Sequence, residues 1–323
     1  MTTEAELKRL FEGVPLRNDG VYVLSLDSQD GNQSQTNAAF SEKWLALGQA
    51  DSDADEAWKR MQLDWYLKLY GYTNEAELAK VLRDCSFILD AGCGLGYKAA
   101  WFAKLSPEST VIAMDYSDAV FRAAHRYGDL KNIVFVKGDI AATGFKTGTI
   151  DLVSCDQVLH HTESPPRTLE EFHRIASPSG TLNTYVYAKK SLPRELLDDH
   201  FRSATKNMSH EEIWEMSKGL TELGRRLSEL NITMEFPDIP SLGIRGGRQD
   251  LQRFIYWNFI KCFWNESMGE ELSVSTNFDW YSPSNAFRYN EVEFLSMCMQ
   301  AGWLNVFLHS EEACWSGRFV KAV

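Results

Sequence analysis

Acids that end short apolar runs are the residues of this chain best placed to do chemistry. Phe87-Ile88-Leu89, Val111-Ile112-Ala113-Met114 and Ile133-Val134-Phe135-Val136 suit buried strands, and Asp90, Asp115 and Asp139 stand at or just past their ends. After Asp90, glycine recurs at Gly92, Gly94 and Gly96, and Ala99-Ala100-Trp101-Phe102-Ala103 reads as a helix. A strand, a glycine turn and a helix start bring backbone N–H groups and an acid to one crevice at the carboxyl edge of a sheet. Glycine is needed there because the chain turns sharply and a ligand touches bare backbone. The spacing is G-x-G-x-G, with Tyr97 where a dinucleotide fingerprint has its third glycine, and Gly96-Tyr97-Lys98 lacks the P-loop ending. Asp90 would repel a phosphate at that turn and favours a ligand bearing an ammonium or hydroxyl groups.

Asp90-Ala91-Gly92-Cys93-Gly94-Leu95-Gly96 resembles motif I of the class I S-adenosylmethionine (SAM)-dependent methyltransferases, whose cofactor has an amino acid end, a sulfonium and no phosphate. The resemblance implies that Asp115 accepts from both ribose hydroxyls, that Tyr116 lies against adenine, and that Asp139 and the N–H of Ile140 take the adenine amine and a ring nitrogen. Asp151-Leu152-Val153-Ser154-Cys155 is a fourth strand, and Asp156-Gln157-Val158-Leu159-His160-His161-Thr162 after it resembles motif IV, where cofactor and acceptor meet. Pro178-Ser179-Gly180 stands where the family has Pro-Gly-Gly, a departure that touches turn geometry. The implied fold is α/β: a Rossmann-like sheet of seven strands, the last pair antiparallel, with an N-terminal helical arm and a helical cap insertion.

The elements that must position these residues divide the chain into an arm at 1–80, a SAM-binding core at 81–190, a cap at 191–275 and a core completion at 276–323. Residues 1–20 give a short helix (Leu7, Leu10, Phe11) and Val21–Leu26 a small strand. Ser28–Asn37 is polar and aperiodic, either a solvated loop or an arm that orders over the cofactor. Phe40 and Trp44 mark a helix face, and Phe40-x-x-Lys43-Trp44 resembles a segment of some small-molecule methyltransferases. Asp51–Asp55 reads as an acidic linker, Trp58–Leu69 as an amphipathic helix, and Asn74 with Glu77 as a capping box for the next helix. Ser164-Pro165-Pro166 starts a helix that Pro178-Ser179-Gly180 ends, and Thr181–Tyr187 is a strand with Tyr185 and Tyr187 on one face. Leu192–Leu230 reads as helical, Met234–Gly247 as a Pro/Gly loop and Leu251–Trp264 as an aromatic helix. Asn290 and Glu293 form a second capping box before Glu291–Ala301, and Val306–Leu308 and Phe319–Val323 are the last strands.

Composition restricts the partners. Of 323 residues, 44% are hydrophobic and 24% charged, with 33 basic against 45 acidic and a net charge of −12. No basic groove is legible, which disfavours nucleic acid, and a small-molecule acceptor is expected. The six cysteines form no C-x-x-C pair and read as free thiols in a reducing cytoplasm. No leader-like or membrane-spanning apolar stretch is present, so neither secretion nor a membrane is expected. Oligomeric state is left open.

A sulfonium activates its own methyl, so transfer asks the protein for an in-line acceptor, exclusion of water and sometimes a base. His160 and His161 are candidates for that base, against a reading in which one packs in the core and the other faces solvent. Tyr187, Trp280 and Tyr281 are candidates to face the sulfonium, with Tyr187 and Tyr281 counted among the catalytic candidates beside the two histidines. No metal site is expected: no two His stand at i, i+4, and His160 and His161, being adjacent, should point apart. Two alternatives remain: other SAM chemistry on the same fold, by cyclisation or aminocarboxypropyl transfer, and a non-catalytic SAM-binding partner.

Overall fold

In a computed structural model the protein is described over residues 4–13, 15–24, 31–47 and 53–322. Its elements are α1 (Glu4–Leu10), β1 (Leu16–Asn18), β2 (Val21–Val23), α2 (Gly31–Leu47), α3 (Asp53–Leu69), α4 (Glu75–Arg83), β3 (Phe87–Ala91), α5 (Tyr97–Leu105), β4 (Thr110–Asp115), α6 (Ala119–Tyr127), β5 (Ile133–Lys137) and β6 (Ile150–Cys155). They continue with α7 (Pro165–Ile175), β7 (Ala176–Ala188), α8 (Leu192–Thr205), α9 (His210–Glu229), β8 (Thr233–Phe236), β9 (Gly247–Asp250), α10 (Leu251–Asn258), α11 (Gly269–Tyr281), β10 (Arg288–Tyr289), α12 (Glu291–Gln300), β11 (Trp303–Ser310) and β12 (Cys314–Lys321). Two compact units result: residues 1–188 with 287–323, and Lys189–Ala286. The second unit therefore runs past residue 275, and the N-terminal helices belong to the first.

In the first unit the sheet order is β1-β2-β5-β4-β3-β6-β7-β12-β11, with β10 beside β7. Strands β5, β4, β3, β6 and β7 are parallel, and β12 runs antiparallel between β7 and β11. These seven are the expected sheet; the β1–β2 hairpin and β10 extend it to ten strands among the described residues. The two-residue alternation sorts the strands onto two cores. Leu89, Ile112, Val134 and Val136 pack with Phe172, Phe294 and Trp303 from α7, α12 and β11, whereas Ile88, Val111, Ala113 and Phe135 pack with Tyr66, Leu78, Phe102 and Val120 from α3 to α6. From β3 the order leads one way to β4 and the other way to β6, so the carboxyl ends of β3 and β6 flank the topological switch point.

Several boundaries differ from the sequence reading. The polar stretch at 28–37 is helical from Gly31, and its buried position among the described residues is Thr36, too small and polar to show as an apolar period. Residues 25–30 and 51–52, which hold the end of the expected first strand, the start of that stretch and part of the acidic linker, lie outside the described residues; Asp53 already begins α3. Asn74 caps α4 by accepting from the Glu77 N–H, but the Glu77 carboxylate takes the Thr73 N–H, so of the two expected boxes the one at Asn290 and Glu293 closes. Strand β7 absorbs Pro178-Ser179-Gly180, because β6 pairs at Ala176, loses register and resumes at Thr181.

The second unit is helical, with one small antiparallel pair, β8 on β9, where a loop was expected. Helix α10 ends at Asn258, whose side-chain amide donates to the Phe254 carbonyl, so Phe263 and Trp264 lie beyond it and not on one helix face.

Candidate functional site

The glycine turn is held by its own amides. Gly92 and Cys93 both donate to the Met114 carbonyl, at 2.8 and 3.0 Å, tying the turn to β4. Gly92 has φ +82°, and a Cβ there would lie 2.4 Å from a Val158 methyl, so both backbone and packing demand glycine. At Gly96 (φ +77°) a Cβ would lie 2.7 Å from Ala123 of α6, so glycine lets the start of α5 pack close against α6.

Asp90, at the end of β3, is 1% exposed, and one of its oxygens, Oδ2, is buried with no hydrogen-bond partner among the described residues. Burial raises its carboxyl to about pH 7, helped by the carboxylates of Asp156 and Asp115 and opposed by Lys98 and the Ala99 N–H. Asp156, past the end of β6, accepts from the Lys98 ammonium, from the Tyr70 hydroxyl at 2.8 Å and from the Gln157 amide at 3.1 Å. Burial opposes the Lys98 charge, but Asp156, Tyr97 and Asp90 together outweigh it and hold the amine above its ordinary range. Gln157 has φ +64°, a left-handed position for a residue with a side chain, and its amide also reaches Gln62 on α3 at 3.2 Å. Behind the pair, the Tyr66 hydroxyl meets Ser154 at 3.0 Å and accepts from the Asn183 amide at 2.9 Å, so α3 is bonded to β6 and β7.

Asp115 closes β4 with one oxygen accepting from Ser117 N–H (2.8 Å) and hydroxyl (2.6 Å), the other from Gly94 N–H at 2.7 Å. Burial nonetheless moves its carboxyl up. Tyr116 beside it is half-buried. Asp139 follows β5, accepts the Ala141 N–H at 2.8 Å and is likewise raised by burial, and Ile140 is buried. The Cys93 thiol is buried, and that burial pushes it well up.

His160 and His161 do not point apart and neither faces solvent. A short 3-10 turn spans residues 159–161, both rings are buried, and their centroids lie 4.1 Å apart. The His160 ring lies 3.8 Å from that of Tyr187, His161 lies 5.4 Å from Tyr187, and Phe40 of α2 packs on His161 at 4.8 Å. Tyr281 falls in the second unit, at the end of α11, with its hydroxyl donating to Asp198 at 2.8 Å. Trp280 has the chain's own cations over its ring. Among the described residues no three His, Cys, Asp or Glu side chains are grouped to hold a metal, and no helix is long and apolar enough to cross a membrane. All six cysteines are free.

Sequence reasoning missed Lys98, Tyr70 and Tyr66. Lys98 carried a signal, a lone cation in the apolar helix start Tyr97–Ala103, which a partner carboxylate explains.

The arrangement is a negative crevice at the switch point: Asp90, Asp115 and Asp156 against Lys98, with bare glycine backbone beside it. It suits a cationic, hydroxyl-bearing ligand. Residues 89–184 match the family described as a methyltransferase domain. An uncharacterised protein of Synechococcus is 34% identical over 106 residues, covering 32% of this chain and 25% of that protein. An uncharacterised chloroplastic methyltransferase of Arabidopsis thaliana is 31% identical over 109 residues, 31% of each chain. The malonyl-[acyl-carrier protein] O-methyltransferase of Legionella pneumophila is 33% identical over 96 residues, 29% of this chain and 34% of that one. The chain thus spans 25 to 34% of the length of these curated relatives.

Proposed function

We propose that the protein is a class I SAM-dependent methyltransferase that transfers a methyl group from SAM to a small-molecule acceptor, a reading supported by the match of residues 89–184 to a methyltransferase domain. One observation carries the reading: a buried carboxylate oxygen, Asp90 Oδ2, without a partner beside the glycine turn. A ligand ammonium satisfies that oxygen and returns the carboxyl toward its ordinary range. Bound there, SAM supplies a methyl already activated by the sulfonium charge.

The chain's own residues do the rest. Asp90 and the backbone of Gly92, Cys93, Gly94 and Gly96 take the amino acid end, and Asp115 accepts from the ribose hydroxyls on lone pairs that Ser117 and Gly94 leave over. Tyr116 covers adenine, and Asp139 and the Ile140 N–H address its edge. Asp156 and Gln157, fixed by Lys98 and Tyr70, form the wall at the switch point. His160, His161 and Tyr187 form an aromatic cluster suited to exclude water and to take a proton from the acceptor. The net charge of −12 supports a small molecule over nucleic acid.

Calorimetry with SAM and S-adenosylhomocysteine, followed by mass spectrometry of products, tests the reading. Binding of both, with S-adenosylhomocysteine formed only when acceptors are added, is expected. Methylthioadenosine from SAM alone would indicate cyclisation instead, and binding without any turnover across an acceptor panel would indicate a regulatory partner.

A further inference from the structure

The second unit gathers several cationic side chains around one indole ring. Trp280 has the Lys261 amine 4.9 Å from its centroid, the Arg194 guanidinium at 5.3 Å, Arg202 at 5.5 Å and Lys190 at 5.7 Å. Lys261 is 6% exposed, and Arg194 and Arg202 are also buried. The carboxylates facing Lys261 are Asp198 and Asp279, and Arg194 and Arg253 face it with like charge. Asp198 is already committed, accepting from Arg194 Nε and from the Tyr281 hydroxyl, each at 2.8 Å.

Lys261 donates one hydrogen bond, to the Tyr256 hydroxyl at 3.1 Å, and makes no ion pair among the described residues. Its other neighbours are the rings of Tyr256 and Phe263, at 5.3 and 5.7 Å, which attract a cation but offer no lone pair along its remaining N–H bonds. Arg194 spends Nε on Asp198 and Nη1 on the Tyr256 carbonyl, which leaves Nη2 without a hydrogen-bond partner there. Burial, then the Arg194 charge, brings the Lys261 amine down to about 7, against the pull of Asp198 and Asp279. A methionine would fill the same space without that penalty, so a stem ending in an amine calls for a counter-charge.

We propose that this cluster is an oxyanion site, in which Lys261 and Arg194 bind a carboxylate or phosphate group of a small ligand against the faces of Trp280 and Tyr256. A guanidinium edge and a point-charge ammonium are the usual pairing for such oxygens. The site lies wholly within Lys189–Ala286, and its existence does not depend on the methyl-transfer reading. Binding an anion restores the Lys261 proton, so association at mildly alkaline pH takes up a proton.

The test titrates the whole protein with inorganic phosphate and, separately, malonate, at constant ionic strength with chloride as reference. Calorimetry in buffers of different ionisation heat reads proton uptake. The expected result is saturable binding of one anion class, with proton uptake at pH 8, weakened about tenfold or more in Lys261→Met, the scale of a charge-assisted hydrogen bond. Lys218→Met, on the exposed face of α9, should leave it unchanged. In the wild type, independently of whether the variant folds, the Lys261 titration followed by carbon NMR should move up with the anion. Chloride-like behaviour of both anions, or a Lys261 titration unmoved by either, overturns the proposal. Preference for phosphate or for malonate identifies which source of oxyanion the site takes.

Discussion

Lys98, on the first turn of α5, donates to the carboxylate of Asp156 past the end of β6, with the two side chains 8% and 2% exposed. The pair spans the switch point and stands beside Asp90, so one ammonium tempers two buried acids. Lys98→Met should cost about 3 kcal/mol or more, because the buried Asp156 carboxyl would lose its ion-pair partner and keep Tyr70 and Gln157. Urea unfolding at pH 7.5 measures this, and a loss below about 1 kcal/mol, the surface-pair scale, would mean the pair is not sealed from water.

Asp90 should make the unliganded protein less stable as pH rises. Its carboxyl titrates near 7 when folded against 3.8 as the unperturbed value, so the folded state holds the extra proton between these limits. Stability from this group is greatest at the acid end of that window and falls as pH rises through it, by on the order of a few kcal/mol. Asp90→Asn should therefore stabilise the free protein at pH 8 while abolishing SAM binding, and wild-type SAM affinity should drop as pH falls below 7. A variant that is both less stable and still binds SAM would remove Asp90 from the site.

Asp115→Ala should weaken SAM binding by roughly 1.5–3 kcal/mol, the scale of hydrogen bonds to a charged acceptor. Some of the loss could come from a loosened Gly94 turn, since Gly94 N–H donates to Asp115. Comparing methionine with adenosine as competing ligands separates the two: a ribose contact affects adenosine alone, whereas a slack turn affects both. Unchanged affinity removes Asp115 from the ribose assignment.

The acids of this site were legible because each ends an apolar run, and a buried parallel strand leaves that mark locally. Lys98 was not assigned because what makes a buried lysine tolerable is Asp156, 58 positions away, and spacing does not report contacts at that range. The first turns of α2 were hidden for the opposite reason: the buried residue there is Thr36, which does not register as apolar periodicity, whereas Phe40 further along marked a helix face. The closeness of His160 and His161 is a matter of rotamers within a short turn after β6, which no side-chain pattern announces. The cations around Trp280 come from residues 190, 194, 202 and 261, on segments that only the folded second unit brings together.

Gly92 and Val158 offer a test of how the glycine turn is enforced. Gly92→Ala would set a methyl 2.4 Å from one Val158 methyl carbon and 2.6 Å from the other, at a φ of +82° that alanine resists. Two costs add: backbone strain of about 1 kcal/mol or more, and a clash relieved only by moving the motif after β6. Val158→Ala alone should cost about 1–2 kcal/mol through lost packing, since Val158 packs against the core formed by Leu89 and Phe172. In the double variant the smaller side chain admits the new methyl, so the combined loss should fall short of the sum by about 1 kcal/mol or more. Strict additivity in denaturant unfolding would mean the turn needs glycine for its backbone alone, and that the distance to Val158 relaxes freely.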